Sequence, residues 1–268
     1  MDWSKAKNIL IAAFIITNIF LIVNIERELM SANDFGVLTQ DQVNEILDIL
    51  EEKNVTVDTS LPPMPMVLSN LDVAYETFDK DDVYRRLSSD GVDDGRWRIY
   101  IYENRLICVS SQRKTSLTTL DETVAYDKAI EFIESYQWAK KEEIDHWTTF
   151  FNGREYEVVF KQRYKGFFLE SSEMRVFVDQ EGIKQFERVW LEPIKMKTKK
   201  YAVMPAPKAI LLGIDRLKEY DEEIIIQDIQ LGYWFSWDNA KSGTAIPAWR
   251  IRIQGVEEPV FFSADENY

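Results

Sequence analysis

Residues 8–25, from Asn8 to Ile25, contain no charged side chain. As a helix rising ~1.5 Å per residue the run is about 27 Å long, close to the ~30 Å of bilayer hydrocarbon. A single segment crosses lipid only as a helix, because each backbone N–H and C=O must be satisfied inside it. Lys5 and Lys7 precede the run, and Glu26, Arg27 and Glu28 follow it. Lysines favour the cytoplasmic side, so residues 1–7 read as a cytoplasmic tail. Residues 26–38 read as a juxtamembrane linker, and the rest as extracytoplasmic. The expected location is the cell membrane, crossed once. A cleaved secretory signal is the competing reading, but signal apolar regions run ~7–15 residues and end at a small-x-small site. Here the run is longer and Ser31-Ala32 is a poor site.

Within the anchor, Ala13, Thr17 and Asn24 fall within ~40° of one another on a helical projection. Ala13 and Thr17 form a small-xxx-small pair that permits close helix approach, with Asn24 placed to hydrogen-bond across. Asn18 lies near the middle of the run, where an amide seeks a partner. These four residues are the candidate partner-binding surface in the membrane, although a lone anchor tolerates them too.

The chain carries 32 Lys+Arg against 46 Asp+Glu, a formal −14. Residues 1–34 hold three basic and four acidic side chains, leaving −13 outside. Such a surface repels phosphate polymers, which argues against nucleic acid, anionic wall polymers and lipid headgroups as partners. A single cysteine, Cys108, excludes an intramolecular disulfide. The exported part must therefore rest on an apolar core, which its length allows.

Thr39 reads as an N-cap, with Gln42 completing a capping box and Val43, Ile46, Leu47 and Leu50 at helical spacing until Asn54. Leu61-Pro62-Pro63-Met64-Pro65 is an extended connector. Leu71–Phe78 reads as a strand and Lys80–Leu87 as a helix. Residues 96–102 and 105–109 form a hairpin in which Ile101 faces Leu106 and Ile99 faces Cys108. A longer helix opens at Asp121 or Thr123 and runs to about Trp138. Strands follow at Ile144–Phe151, Tyr156–Tyr164, Phe167–Ser171, Met174–Val178 and Ile183–Trp190, the first two joined by an Asn152-Gly153 turn. Lys195–Lys200 is a basic stretch read as a mobile linker. Pro207–Tyr220 is the last helix, followed by strands at Ile224–Trp234, Ala248–Gln254 and Val260–Phe262. Trp249, Ile251 and Ile253 alternate with Arg250, Arg252 and Gln254, which predicts one core face and one wet face. The expected architecture is α+β, with helices on one face of antiparallel sheets. It divides into modules at 39–119 and 120–194, a linker at 195–204 and a third module at 205–268.

Catalytic constellations fail on parts. Cys108 and the single histidine, His146, are the one nucleophile–base pair available. Cys108 sits at a core position of its hairpin, and no electropositive setting argues for a reactive thiol. Asp79-Lys80-Asp81-Asp82 and Asp93-Asp94 are carboxylate pairs of the kind that solvate turns, without calcium-loop spacing. No Gly-rich phosphate loop is present, and no cofactor or metal is expected. Tyr233, Trp234, Trp237 and Trp249 are a candidate exported binding surface for sugars or peptides, although aromatics at strand spacing are more often core.

Met1-Asp2-Trp3-Ser4-Lys5-Ala6-Lys7 leading into an apolar helix resembles the opening of the YycI (WalI) proteins of Gram-positive bacteria. Leu231-Gly232-Tyr233 and Pro247-Ala248-Trp249-Arg250-Ile251 are similar to the last domain of that family and of its sister YycH. The resemblance implies a non-enzymatic regulator of the WalK/WalR (YycG/YycF) two-component system, which controls cell-wall metabolism. It further implies an anchor that associates with the membrane helices of the sensor kinase and YycH, and PepSY-like exported modules with no catalytic residues. The alternative is a cell-wall or peptide ligand-binding module for which the anchor is a tether.

Overall fold

A computed structural model describes residues 14, 17, 18, 38–63, 66–88, 95–112, 117–220, 222–235 and 241–265. Among these, no helix is long and apolar enough to cross a membrane. The uncharged run at 8–25 lies outside them except for Phe14, Thr17 and Asn18, which are helical.

The first described helix, α1 (Gln40–Glu52), begins where its capping box dictates: the Thr39 hydroxyl accepts from the Gln42 N–H, and the Gln42 side chain accepts from the Thr39 N–H at 2.9 Å. It ends at Asn54, whose left-handed φ of 61° turns the chain into β1 (Val55–Val57). Next come β2 (Val67–Tyr75), α2 (Lys80–Leu87), β3 (Trp97–Tyr102), β4 (Arg105–Ser110) and α3 (Glu122–Ser135). Asp79 caps α2 by accepting from the N–H groups of Asp81 and Asp82, so one of the carboxylate clusters is spent on a helix start. Asp93-Asp94 lies outside the described residues. Asp121 caps α3 through the Val124 N–H.

Strands β5 (Ile144–Phe151), β6 (Tyr156–Tyr164), β7 (Phe167–Asp179), β8 (Gly182–Val189) and β9 (Leu191–Ala202) follow. The chain closes with α4 (Ala206–Leu212), α5 (Ile214–Leu217), β10 (Ile224–Trp234), β11 (Ser242–Ile253) and β12 (Val260–Ser263). Mixed α+β architecture with a large sheet is thus what the chain adopts. The strands form one connected array of twelve, with the path β3-β4-β8-β7-β10-β11-β2-β9; β5–β6 branches from β7, β12 from β11 and β1 from β10.

Two main cores lie against this array. One packs α2 and α3 on the antiparallel run β3-β4-β8-β7-β6-β5, with Phe160, Val176 and Phe186 fully buried beneath Ala125, Ala129 and Ile133. The other packs α1, α4 and α5 on β1, β10, β11 and β12 around Leu50, Ile210, Ile226 and Trp249. A small third cluster, including Leu71, Leu169 and Tyr233, fills the junction. The stretch 39–119, expected to form one module, is divided: α1 and β1 join the second core, while α2, β3 and β4 join the first.

Two other expectations change. Lys195–Lys200, read as a linker, lies inside β9, which pairs antiparallel with β2 from Val67↔Ala202 to Tyr75↔Leu191. Residues 194–200 are exposed on both faces, so the ladder to β2 holds this strand without the period-2 burial that betrays strands in sequence. The helix expected over 207–220 breaks at Gly213, where an added Cβ would sit 2.1 Å from the Phe262 ring.

Candidate functional site

The two stretches Leu231–Tyr233 and Pro247–Ile251 pair directly, as Leu231↔Trp249, Gly232↔Ala248 and Tyr233↔Pro247. On its other edge β10 runs parallel to β7 through Gly232↔Phe168 and Tyr233↔Leu169, the ladder that joins the two halves of the array. Glycine is required there, because a Cβ on residue 232 would lie 2.3 Å from the Phe168 ring. The Arg250 guanidinium stacks on the same ring, 4.4 Å from the Phe168 centroid.

The Arg250 and Asp145 side chains, 2% and 3% exposed, pair at 2.5 Å. The alternation in β11 predicted a wet face at Arg250; β5 and Glu170 of β7 instead close over it. Its Nη2 also donates to Gln230, whereas Nε and Nη1 have no hydrogen-bond partner among the described residues. Asp145 further accepts from Arg163 at 2.8 Å and contacts His146 Nδ1 at 2.9 Å. Burial alone raises the pKa of the Asp145 carboxyl. The His146 hydrogen bond and the Arg250 and Arg163 cations outweigh it, holding the group well below the usual carboxylate range.

Beside this network opens a cleft of about 700 Å³, between β5 with the polar face of β6–β7 and the turn carrying Glu257, Glu258 and Pro259. Lys161 bridges Glu170 and Glu173 at 3.4 and 3.0 Å, and Arg175 bridges Glu173 and Glu157 at 2.6 and 2.8 Å. Glu173 is desolvated, yet these cations lower its pKa; Lys161 is desolvated too, and its carboxylates raise its pKa. With Glu122, Glu257, Glu258 and Arg252 included, six carboxylates face three cations, so the lining is net acidic. Trp147 and Phe150, both on β5, supply its apolar surface and are 40% and 44% exposed.

The sequence-predicted residues are scattered. Tyr233 and Trp249 are fully buried. Their polar ends are used internally, the Tyr233 hydroxyl donating to the Ser69 carbonyl at 3.0 Å and Trp249 Nε1 to the Met204 carbonyl at 2.7 Å. They are core, not binding surface. Trp234 alone of the described aromatics in that set reaches a cavity, a smaller one of about 300 Å³ shared with Arg216, Phe261 and Phe262. Trp237, Ala13 and Asn24 lie outside the described residues. The Asn18 side chain donates to the Phe14 carbonyl at 2.8 Å, one helical turn back.

Cys108 and His146 are not brought together. Cys108 is buried on β4, its thiol pushed up to about 12 by desolvation. His146 is on β5, four strand spacings away along β4-β8-β7-β6-β5, or roughly 19 Å. No group of three His, Cys, Asp or Glu side chains suited to a metal occurs among the described residues. The sequence reading missed Asp145, Arg250 and the β5 edge. Their signal was an acid–His–Trp triplet in a strand and an arginine in a central strand, neither of which has a distinctive spacing.

The model of the YycI protein family matches residues 36–264. No curated protein matches the chain in sequence. Among solved structures, the crystal structure of an uncharacterized protein from Eubacterium rectale ATCC 33656 is similar at a TM-score of 0.53 and 10% identity, over 84% of this chain and 97% of that one. That likeness is one of fold. The family match spans both cores and the junction between them, and the chain belongs to the YycI family, regulatory proteins associated with the WalK/YycG two-component system.

Proposed function

We propose that the chain is a non-enzymatic, membrane-anchored regulator of a WalK-type sensor histidine kinase, acting together with a YycH-type partner. The family match over residues 36–264 carries this reading. Residues 8–25 form its transmembrane helix, with the N-terminus in the cytoplasm and the PepSY-like helix-on-sheet modules outside. Ala13, Thr17, Asn18 and Asn24 are the contact residues toward partner helices. The Asn18 bond to the Phe14 carbonyl satisfies one amide hydrogen within its own helix, which lowers the cost of an asparagine in hydrocarbon and leaves its oxygen to accept from a neighbour. Regulation then requires that the anchor make different contacts with the two states of the kinase.

The test is a fragment of residues 1–34 expressed with the kinase. Co-purification and altered kinase output support helix recognition; absence of both contradicts it. The acidic, aromatic-edged cleft favours a second reading, an extracytoplasmic cell-wall or peptide ligand-binding module tethered by its anchor. That reading is separated from the first by replacing residues 8–25 with an unrelated membrane helix, which it tolerates.

A further inference from the structure

Five strands of the array pair on one edge only among the described residues: β3, β5 and β9, and the short β1 and β12, of three and four residues. Open edges invite a further strand, and proteins guard them with Lys, Pro or like charges. β9 carries Pro193, Lys195, Lys197, Lys199 and Lys200, and β3 carries Arg98. β5, Ile144–Phe151, has no Lys, Arg, Pro or Gly, and leaves Trp147, Phe150 and Phe151 40%, 44% and 56% exposed. Past the irregularity at 144–147 it is the long edge without such guards, since β1 and β12 are too short to offer one.

The cleft over the polar face of β6–β7 reaches that edge. Five consecutive residues, His146 to Phe150, line it. Successive side chains of a strand point to opposite faces, so a cavity that covers the polar face at Lys161 and Arg175 and also meets five β5 residues in a row reaches round onto the strand's edge. β6 takes one edge of β5 through Trp147↔Phe160 to Phe151↔Tyr156; the cleft meets residues of both faces, Lys161 on the polar side and Glu122 of α3 on the core side, and so wraps over the other. Glu122 stands on the α3 side of this edge, hydrogen-bonded by Thr149, and Glu257 and Glu258 stand across the cleft.

We infer that β5 receives an extended polypeptide segment bearing Lys or Arg side chains, added as a further strand along its open edge. Main-chain hydrogen bonds to 146–150, a span of about 16 Å, give affinity, and flanking side chains give selectivity. Cationic side chains meet Glu122 on one face and Glu257 and Glu258 on the other, and Trp147 and Phe150 offer rings to their stems and charges. The segment belongs to another protein. A second copy of this chain would bring two net-acidic clefts and two chains of −14 together. The inference rests on the cleft alone, so its failure leaves the regulatory reading standing.

The experiment uses the full chain in detergent micelles and three capped heptapeptides: alternating Lys and Thr, alternating Glu and Thr, and the Lys–Thr peptide N-methylated at every second residue. Backbone hydrogen exchange is followed by mass spectrometry. The Lys–Thr peptide is expected to slow exchange across 144–151 at least tenfold, and the other two to leave it unchanged. Glu257→Lys/Glu258→Lys, in an exposed turn, should weaken that peptide at least tenfold without shifting the melting temperature. Equal effect of the N-methylated peptide would reduce the interaction to charge and overturn the inference. So would protection at β3 or β9 instead, protection of β5 that grows with protein concentration alone, or no protection at all.

Discussion

Asp145 and Arg250 have the most to lose from substitution, because each is desolvated and neutralised by the other. Asp145→Ala leaves the buried Arg250 charge with only the more distant Glu170, at 3.7 Å, and should cost about 3 kcal/mol in urea unfolding at pH 7. The same residue sets part of the acid sensitivity. Its folded-state pKa lies below the value of about 3.9 expected for the unfolded chain, so the unfolded state takes up the proton first as pH falls. Its stabilisation is full above about pH 5 and drains away as pH drops through 4 and below. Asp145→Ala should therefore show a shallower loss of stability between pH 5 and pH 3 than the parent protein. At the neighbouring contact, Gly232→Ala places a methyl group into the Phe168 ring and should lower stability by about 1–3 kcal/mol, read as a shifted urea midpoint. Cys108, fully buried with its thiol held protonated, should resist a thiol-alkylating reagent at pH 8 until the protein is unfolded. Prompt labelling of the native protein would contradict the hairpin geometry.

Local chemistry made some elements legible from sequence and left others hidden. The β3–β4 hairpin has the register its pattern implies, Ile101↔Leu106 and Ile99↔Cys108, since a two-residue turn leaves no freedom to slip. The α1 start was equally readable, and Thr39→Ala should cost about 1 kcal/mol in thermal unfolding because the capping box is its only task. β7 was expected as two strands, 167–171 and 174–178. It is one strand with a bulge, where the register jumps between Lys161↔Glu173 and Gln162↔Leu169. Ser171, at a left-handed φ of 73°, donates there to the Phe235 carbonyl at 2.7 Å, tying the bulge to the junction. β9 was invisible because neither of its faces is buried between 194 and 200. Of the candidate site, the alternation in β11 placed Trp249 on a core face and strand spacing favoured core for the other aromatics, as the burial of Tyr233 and Trp249 bears out. What buries them is pairing between segments distant in sequence, which no local period reports.

Across the whole molecule, the two cores are fastened where Gly232 lets β10 lie against β7 and where Arg250 of β11 reaches Asp145 of β5. The C-terminal stretches that carried part of the family resemblance are strands that make this fastening, so a short motif there reports on both cores. Regulation through a membrane helix, as proposed above, and ligand binding by a tethered module make different demands on residues 8–25. Kinase autophosphorylation, followed in vesicles containing the kinase and the YycH-type partner, distinguishes these possibilities when the full chain is compared with one whose residues 8–25 are replaced by an unrelated membrane helix. The expected result is that the full chain changes the rate at least twofold and the replaced chain does not. Equal rates with either chain, each different from the kinase without them, would contradict regulation through the membrane helix.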